Sequence, residues 1–362
     1  MLAYQTAFVL YQSVIIKIFK DIYALTVLNC IYASISCVFI YLISNKIYKN
    51  KIASIISAFM YIIGFYVSAF CGVLSNQHLF TMLVLISIYI LILVDKISIK
   101  TIFLIGVLLA LANLVRPEAI IYLVAMLGYI FFHEVENIKD VKNVLLKSFI
   151  LISTYFLIIR GAGIIIQQTN INKNGLSNQN VLWKFVLGLD HESGGRYSSK
   201  SEKIFNNQQK QIDWICMNLK KPLSSHIELI NYKLHVFWNI NDYNWVLQDE
   251  IININNKTLY KAPLIDIVSK YDDIIFYIVL YLLMINLINN ILKRNVQMDE
   301  LLCLFIIAIN TITYLIIENQ SRYAYTAKIF IYILSTGGIS YIIDKIKYKI
   351  VKNKRKDIVK ND

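Results

Sequence analysis

Charge is what this sequence has little of: Asp, Glu, Lys and Arg make up 16% of 362 residues, against 57% hydrophobic ones. A soluble domain carries about 25% charged residues. The deficit, together with apolar runs throughout the chain, excludes a large soluble core and reads as an integral membrane protein. Cysteine is also scarce. Cys30, Cys37, Cys71 and Cys303 lie in apolar runs and only Cys216 sits in a polar segment, so neither a disulfide framework nor a metal-ligand spacing follows. Met1 to Phe19 lack a basic n-region and a small-residue cleavage site, which excludes a signal peptide; an interfacial helix fits them. There is no internal repeat and no low-complexity tract. Asn256-Lys-Thr258 and Asn319-Gln-Ser321 match the N-glycosylation pattern, which is common by chance and carries no weight.

What is present is hydrophobic length and basic charge. The net charge of +13 does not point to nucleic acid, because Lys and Arg concentrate in short loops and in the tail Lys345 to Lys360, as membrane topology demands. Spans are expected at Ile22–Ser44, Ile52–Gly72, Gln77–Val94, Thr101–Val115, Glu118–Phe132, Asn143–Arg160, Asp272–Leu292, Asp299–Ile317 and Tyr323–Ile343. If they alternate, five basic clusters fall on one side: Lys46, Lys49 and Lys51; Lys96 and Lys100; Lys139 and Lys142; Lys293 and Arg294; and the tail. That side is cytoplasmic, and the C-terminus with it. His78, Arg116, Arg322 and the segment from Gly161 to Lys270 then share the outer face. Nine spans with a cytoplasmic end leave Met1 to Asp21 outside, so either Met1–Phe19 inserts as a tenth span or a helix precedes it.

The chain thus divides into an N-terminal transmembrane bundle (1–160), an extracytoplasmic segment (161–270), C-terminal transmembrane helices (271–343) and a basic cytoplasmic tail (344–362). The outer segment is too long for a connector and is expected to fold against the membrane. In it Leu223, Ile227, Ile230, Leu234 and Phe237 recur at helical spacing, and Ser225-His-Ile-Glu228 after Pro222 matches a capping box. These features read as a juxtamembrane helix, with Trp238 and Trp245 at the interface.

The most polar break inside the membrane-embedded part is Arg116-Pro117-Glu118, between two apolar runs of about fifteen residues, each roughly 22 Å of helix. An arginine there needs a protein interior or a watery cavity. Two readings stand side by side: an arginine awaiting an anionic partner, or an Arg–Glu pair capping a hairpin. His191 lies between Asp190 and Glu192, a group able to accept a proton or hold a metal, though a solvated loop reads better. His226 and His235 fit structural roles on the juxtamembrane helix, and His133 belongs to a cytoplasmic connection.

Three motifs resemble the multi-spanning GT-C glycosyltransferases of family 39, the dolichyl-phosphate-mannose-protein mannosyltransferase-like group. Val107-Leu-Leu-Ala-Leu-Ala-Asn-Leu-Val-Arg-Pro-Glu118 is similar to the family's helix ending in Arg-Pro. Lys184-Phe-Val-Leu-Gly-Leu-Asp-His-Glu-Ser-Gly-Gly-Arg196 resembles its outer-loop Gly-hydrophobic-Asn pattern, with Asp190 in place of Asn. Glu318-Asn-Gln-Ser-Arg-Tyr323 is similar to the Glu-x-x-x-Arg-Tyr opening the last helix. The chain departs from the pattern at Ser75-Asn-Gln-His-Leu-Phe80, where an acidic residue often precedes Leu-Phe, and lacks the proline that often follows Arg-Tyr.

The resemblance implies an all-α, polytopic GT-C-like bundle in the cell membrane that moves a sugar from a polyprenyl-phosphate donor to a lipid, glycan or protein acceptor at the outer face. It implies Arg116 and Arg322 as phosphate ligands, since a guanidinium fork matches phosphate oxygens and stays charged. Tyr323 and His78 join them as substrate-binding candidates, with Glu118 and Glu318 orienting the arginines. A snorkelling anchor is the plainer reading of Arg322. In the family the catalytic base is an acidic residue in the first outer loop, expected here upstream of Met1. The resemblance requires no cofactor and leaves a divalent metal open. The alternative is a flippase, polymerase-like or inactive membrane protein that handles lipid-linked saccharide without transferring it.

Overall fold

The computed structural model describes residues 5–241, 252–254, 257–259, 261–294 and 296–361. The described chain is helical apart from an antiparallel pair of three-residue strands, β1 (Ile252–Ile254) and β2 (Lys257–Leu259). Trp245 and Asn256 fall outside the described residues.

Helix α1 (Thr6–Phe19) leads into α2 (Tyr23–Tyr48), α3 (Lys51–Ile62), α4 (Phe65–Cys71), α5 (Gln77–Leu93), α6 (Ile99–Val115), α7 (Ala119–Glu134) and α8 (Ile138–Gln168). Short helices α9 (Trp183–Gly188) and α10 (Ser199–Glu202) follow, then α11 (Gln208–Leu219) and α12 (Leu223–Trp238). After the strands come α13 (Lys261–Lys293), α14 (Met298–Ile316), a 3-10 turn (Ser321–Ala324) and α15 (Tyr325–Asn361). Each of the nine expected spans is helical. Five helices are long and apolar enough to cross a bilayer: α2, α8, α13, α14 and the run from Ser321 to Asn353. A sixth is α3 with α4, which are bent by 54° at Gly64, while α5, α6 and α7 are apolar but only 17, 17 and 16 residues long. Helix α1, of 14 residues, packs against α2 and α6.

Helix α15 is the central column. Residues 324 to 339 are all buried, and it packs against α2, α3, α13 and α14. A helix buried all round needs apolar or small residues on every face, and Ile-Phe-Ile-Tyr-Ile-Leu followed by Ser-Thr-Gly-Gly supplies them. The glycines set the approach to α13: a Cβ on Gly338 would collide with the Leu282 carbonyl, and one on Gly337 with the Asn286 amide. In a bilayer, where no water is released between helices, close contact of this kind holds helices together.

The bend between α3 and α4 has a partner for its freed backbone. The buried Asp272 carboxylate accepts from the amides of Phe65 (2.7 Å) and Tyr66 (2.9 Å) at the start of α4. An anion at a helix N-terminus meets both orphan donors and the positive end of the dipole.

Helix α12 forms where the apolar spacing requires it, with two differences. It starts at Leu223 with Pro222 as N-cap, so Ser225 lies inside the first turn and no capping box with Glu228 forms. The fixed proline φ (−57°) opens the helix earlier than the Ser would. The buried face is Leu229, Lys233 and Phe237, one residue per turn, while Leu223, Ile227 and Ile230 are exposed. The N-terminal part of the expected apolar stripe therefore points away from the protein, as suits a helix resting on a bilayer surface, while Phe237 at its end turns into the core.

Candidate functional site

Tyr323 organises the polar end of the bundle. It follows the break that terminates α14 at Ile317, and its ring stacks on Tyr314 (centroids 5.1 Å apart), which stacks on Phe237 of α12 (5.3 Å). Three cations converge on this ring. The Arg116 guanidinium carbon is 5.4 Å from its centre, the Lys184 Nζ 5.5 Å and the Arg322 guanidinium carbon 5.7 Å. A ring face attracts cations at such distances.

Arg322 is the ring's chain neighbour, and the other two cations arrive from elsewhere in the chain. Arg116 is the residue at which α6 stops, because the residue before a proline is forced out of helical geometry; its φ of −148° and ψ of 123° are extended. That turn throws the side chain inward, where it is only 6% exposed. Its Nε bonds Glu118 Oε2 at 2.6 Å, and Nη1 donates to Asn76 Oδ1 at 3.3 Å. Asn76 in turn donates to the Val115 carbonyl at 3.1 Å, tying the start of α5 to the end of α6. Lys184 comes from α9, in the segment between α8 and α13, and forms an ion pair with Glu318. Glu318 also accepts from the Tyr323 hydroxyl (3.1 Å) and the Gln320 amide (2.8 Å), and its backbone amide donates to the Lys184 carbonyl at 2.8 Å.

Arg116, Glu118, Glu318, Arg322 and Tyr323 are thus brought together. His78 is not. It is fully buried, with Nδ1 3.1 Å from the Tyr325 hydroxyl and Nε2 3.4 Å from Cys71 Sγ. Two residues along a helix turn the side chain by about 200°, so Asn76 faces Arg116 and His78 faces α15. The Asp190 group differs from a solvated loop: Asp190 is 2% exposed, and its carboxylate accepts from the Glu192 and Ser193 amides (3.1 and 3.3 Å) and the Ser198 hydroxyl (2.7 Å). It organises the turn through Gly194 and Gly195, both at positive φ. Glu192 is exposed beside Lys200, and His191 stacks edge-on against His226 (5.0 Å). Partial burial, then the positive Lys221, hold His191 below its ordinary pKa. Among the described residues no three His, Cys, Asp or Glu side chains converge as a metal set.

Lys184, Tyr314 and Asn76 complete the cluster and carried no signal of their own. Lys233 is a further surprise. Fully buried on α12, it donates to the carbonyls of Gly188 (3.0 Å), Leu315 (2.7 Å) and Ile317 (2.8 Å), so it pins α9 and α12 to the end of α14 just before Glu318. Asn319 adds to this seam by donating to the Lys233 carbonyl at 2.5 Å, and its amide to the Gly195 carbonyl at 2.9 Å.

Residues 7–159 match the family model described as dolichyl-phosphate-mannose-protein mannosyltransferase. The similarity covers the N-terminal bundle. No curated protein matches the chain closely. Arg116 and Glu118 lie inside the matched region, whereas Lys184, Glu318, Arg322 and Tyr323 lie beyond it, and the fold brings Arg116 and Lys184 to the Tyr323 ring. A multi-pass membrane protein whose N-terminal part is similar to a membrane-glycosyltransferase family follows from the match and the helices together.

Proposed function

We propose that this protein transfers a sugar from a polyprenyl-phosphate-linked donor to a lipid, glycan or protein acceptor at the outer face of the cell membrane. The observation that carries the reading is the set of three cations around the Tyr323 ring, with Glu118 and Glu318 as the carboxylates paired to them among the described residues. Cations gathered at one place at membrane depth make a site for an anion. A phosphate is the anion that suits it, since guanidinium and ammonium groups hold the oxygens on which charge grows as the sugar departs. Both carboxylates are committed to cations within the cluster, which makes them orienting groups. The acceptor proton goes to a base outside this cluster.

The experiment is transfer from a polyprenyl-phosphate sugar in membranes containing the protein, with Arg116→Ala and Arg322→Ala compared against the parent. Loss of one such donor costs about a hundredfold or more in rate. Undiminished transfer in both variants would refute the site, and lipid translocation without transfer would point to a flippase-like handler of lipid-linked saccharide instead.

A further inference from the structure

Lys184 differs from the two arginines in where it comes from and how it is held. It belongs to the outer segment, and about a third of its side chain is exposed (35%), while the carboxylate it pairs with is closed off at 6%. The pairing is therefore one that an incoming group reaches from the lysine side.

Two features allow the pair to open. Glu318 keeps the Gln320 amide and the Tyr323 hydroxyl as donors when Lys184 leaves, so no bare carboxylate is stranded. The backbone bond from the Glu318 amide to the Lys184 carbonyl is independent of both side chains and holds Lys184 beside the ring throughout. A partly exposed ion pair is weak, and a phosphate offers the ammonium more oxygens than one carboxylate does.

We infer that Lys184 is a third ligand of the donor phosphate and that Glu318 is its resting counterion, released when the phosphate arrives. The inference rests on the phosphate reading above and deepens it: the site exchanges an internal anion for the substrate's. It also ties binding to the outer segment, because Lys184 is the cation that segment contributes.

The test uses the full chain in phosphatidylcholine nanodiscs and measures binding of a polyprenyl monophosphate against the corresponding uncharged polyprenol. The parent should prefer the phosphate form. Lys184→Met should cut that preference about tenfold, the scale of one charge-assisted bond, with polyprenol binding unchanged, and Lys184→Arg should restore most of it. Glu318→Gln should shift the other way and tighten phosphate binding, because the competing charge is gone. If Lys184→Met and Glu318→Gln both weaken binding, or both alter polyprenol binding, the pair is only structural and the inference falls. Should Arg116→Ala abolish the preference while Lys184→Met leaves it, the phosphate reading survives and the role of Lys184 does not. A parent that shows no preference removes both.

Discussion

A lysine with no exposed surface has to find three acceptors, and Lys233 finds them in the carbonyls of Gly188, Leu315 and Ile317. Burial pulls its pKa down to about 7. In the unfolded chain a lysine titrates near about 10.4. The folded protein therefore binds fewer protons between those values, and stability gained from this group grows as pH rises through that window. Thermal unfolding in detergent should shift upward from pH 7 to pH 9 in the parent, and Lys233→Met should flatten that dependence. At pH 7 the variant should also melt lower, because the carbonyls it leaves unpaired cost about 1–3 kcal/mol each. Parallel curves for parent and variant would show that burial does not govern this lysine.

At the level of elements, two glycines decide how closely α13 approaches α15. Gly338→Ala should force the helices apart at Leu282, at a cost of about 1–3 kcal/mol, the usual range for overpacking a tight contact. Lower melting with unchanged transport to the membrane is the expected result; an unaltered melting temperature would mean that the contact relaxes freely. The element pattern was the most legible property of the chain, since apolar length alone marks each helix in a membrane protein. Polar residues in apolar surroundings are legible for the same reason, which is why Arg116 and Glu118 stand out, whereas Glu318, Arg322 and Tyr323 are marked by the resemblance of their motif. Lys184 does not stand out, because a lysine in a polar outer segment is unremarkable until the fold carries it across 134 positions to Glu318. His78 stood next to the right motif, but helical rotation gave the contact to Asn76. Asp190 looked solvated because burial of a loop carboxylate depends on amides from its own turn, and pattern does not reveal a turn of that kind.

For the whole molecule, the proposed outer-face chemistry needs an orientation: by the positive-inside rule the basic connections and tail are expected to face the cytoplasm, which would put α9 to α12 outside. Cys216, exposed on α11, reports on this directly. In a variant with the other four cysteines replaced by serine, a membrane-impermeant maleimide should label Cys216 in intact cells, and a tag after Asp362 should be reached only after permeabilisation. Labelling of Cys216 only after permeabilisation would invert the topology and move the Tyr323 cluster to the other leaflet.

Helices α6 and α7, at 17 and 16 residues, reach about 25 Å, against a hydrocarbon core of about 30 Å. A bilayer meeting such short walls dips toward its midplane rather than exposing tails to polar ends. Along this flank, where Arg116 marks the end of α6, the headgroup layer would sink to the arginine. A lipid carrier diffusing in the leaflet would then have its phosphate delivered at the depth of the ring by the deformation of the membrane itself, with no need to climb out of it.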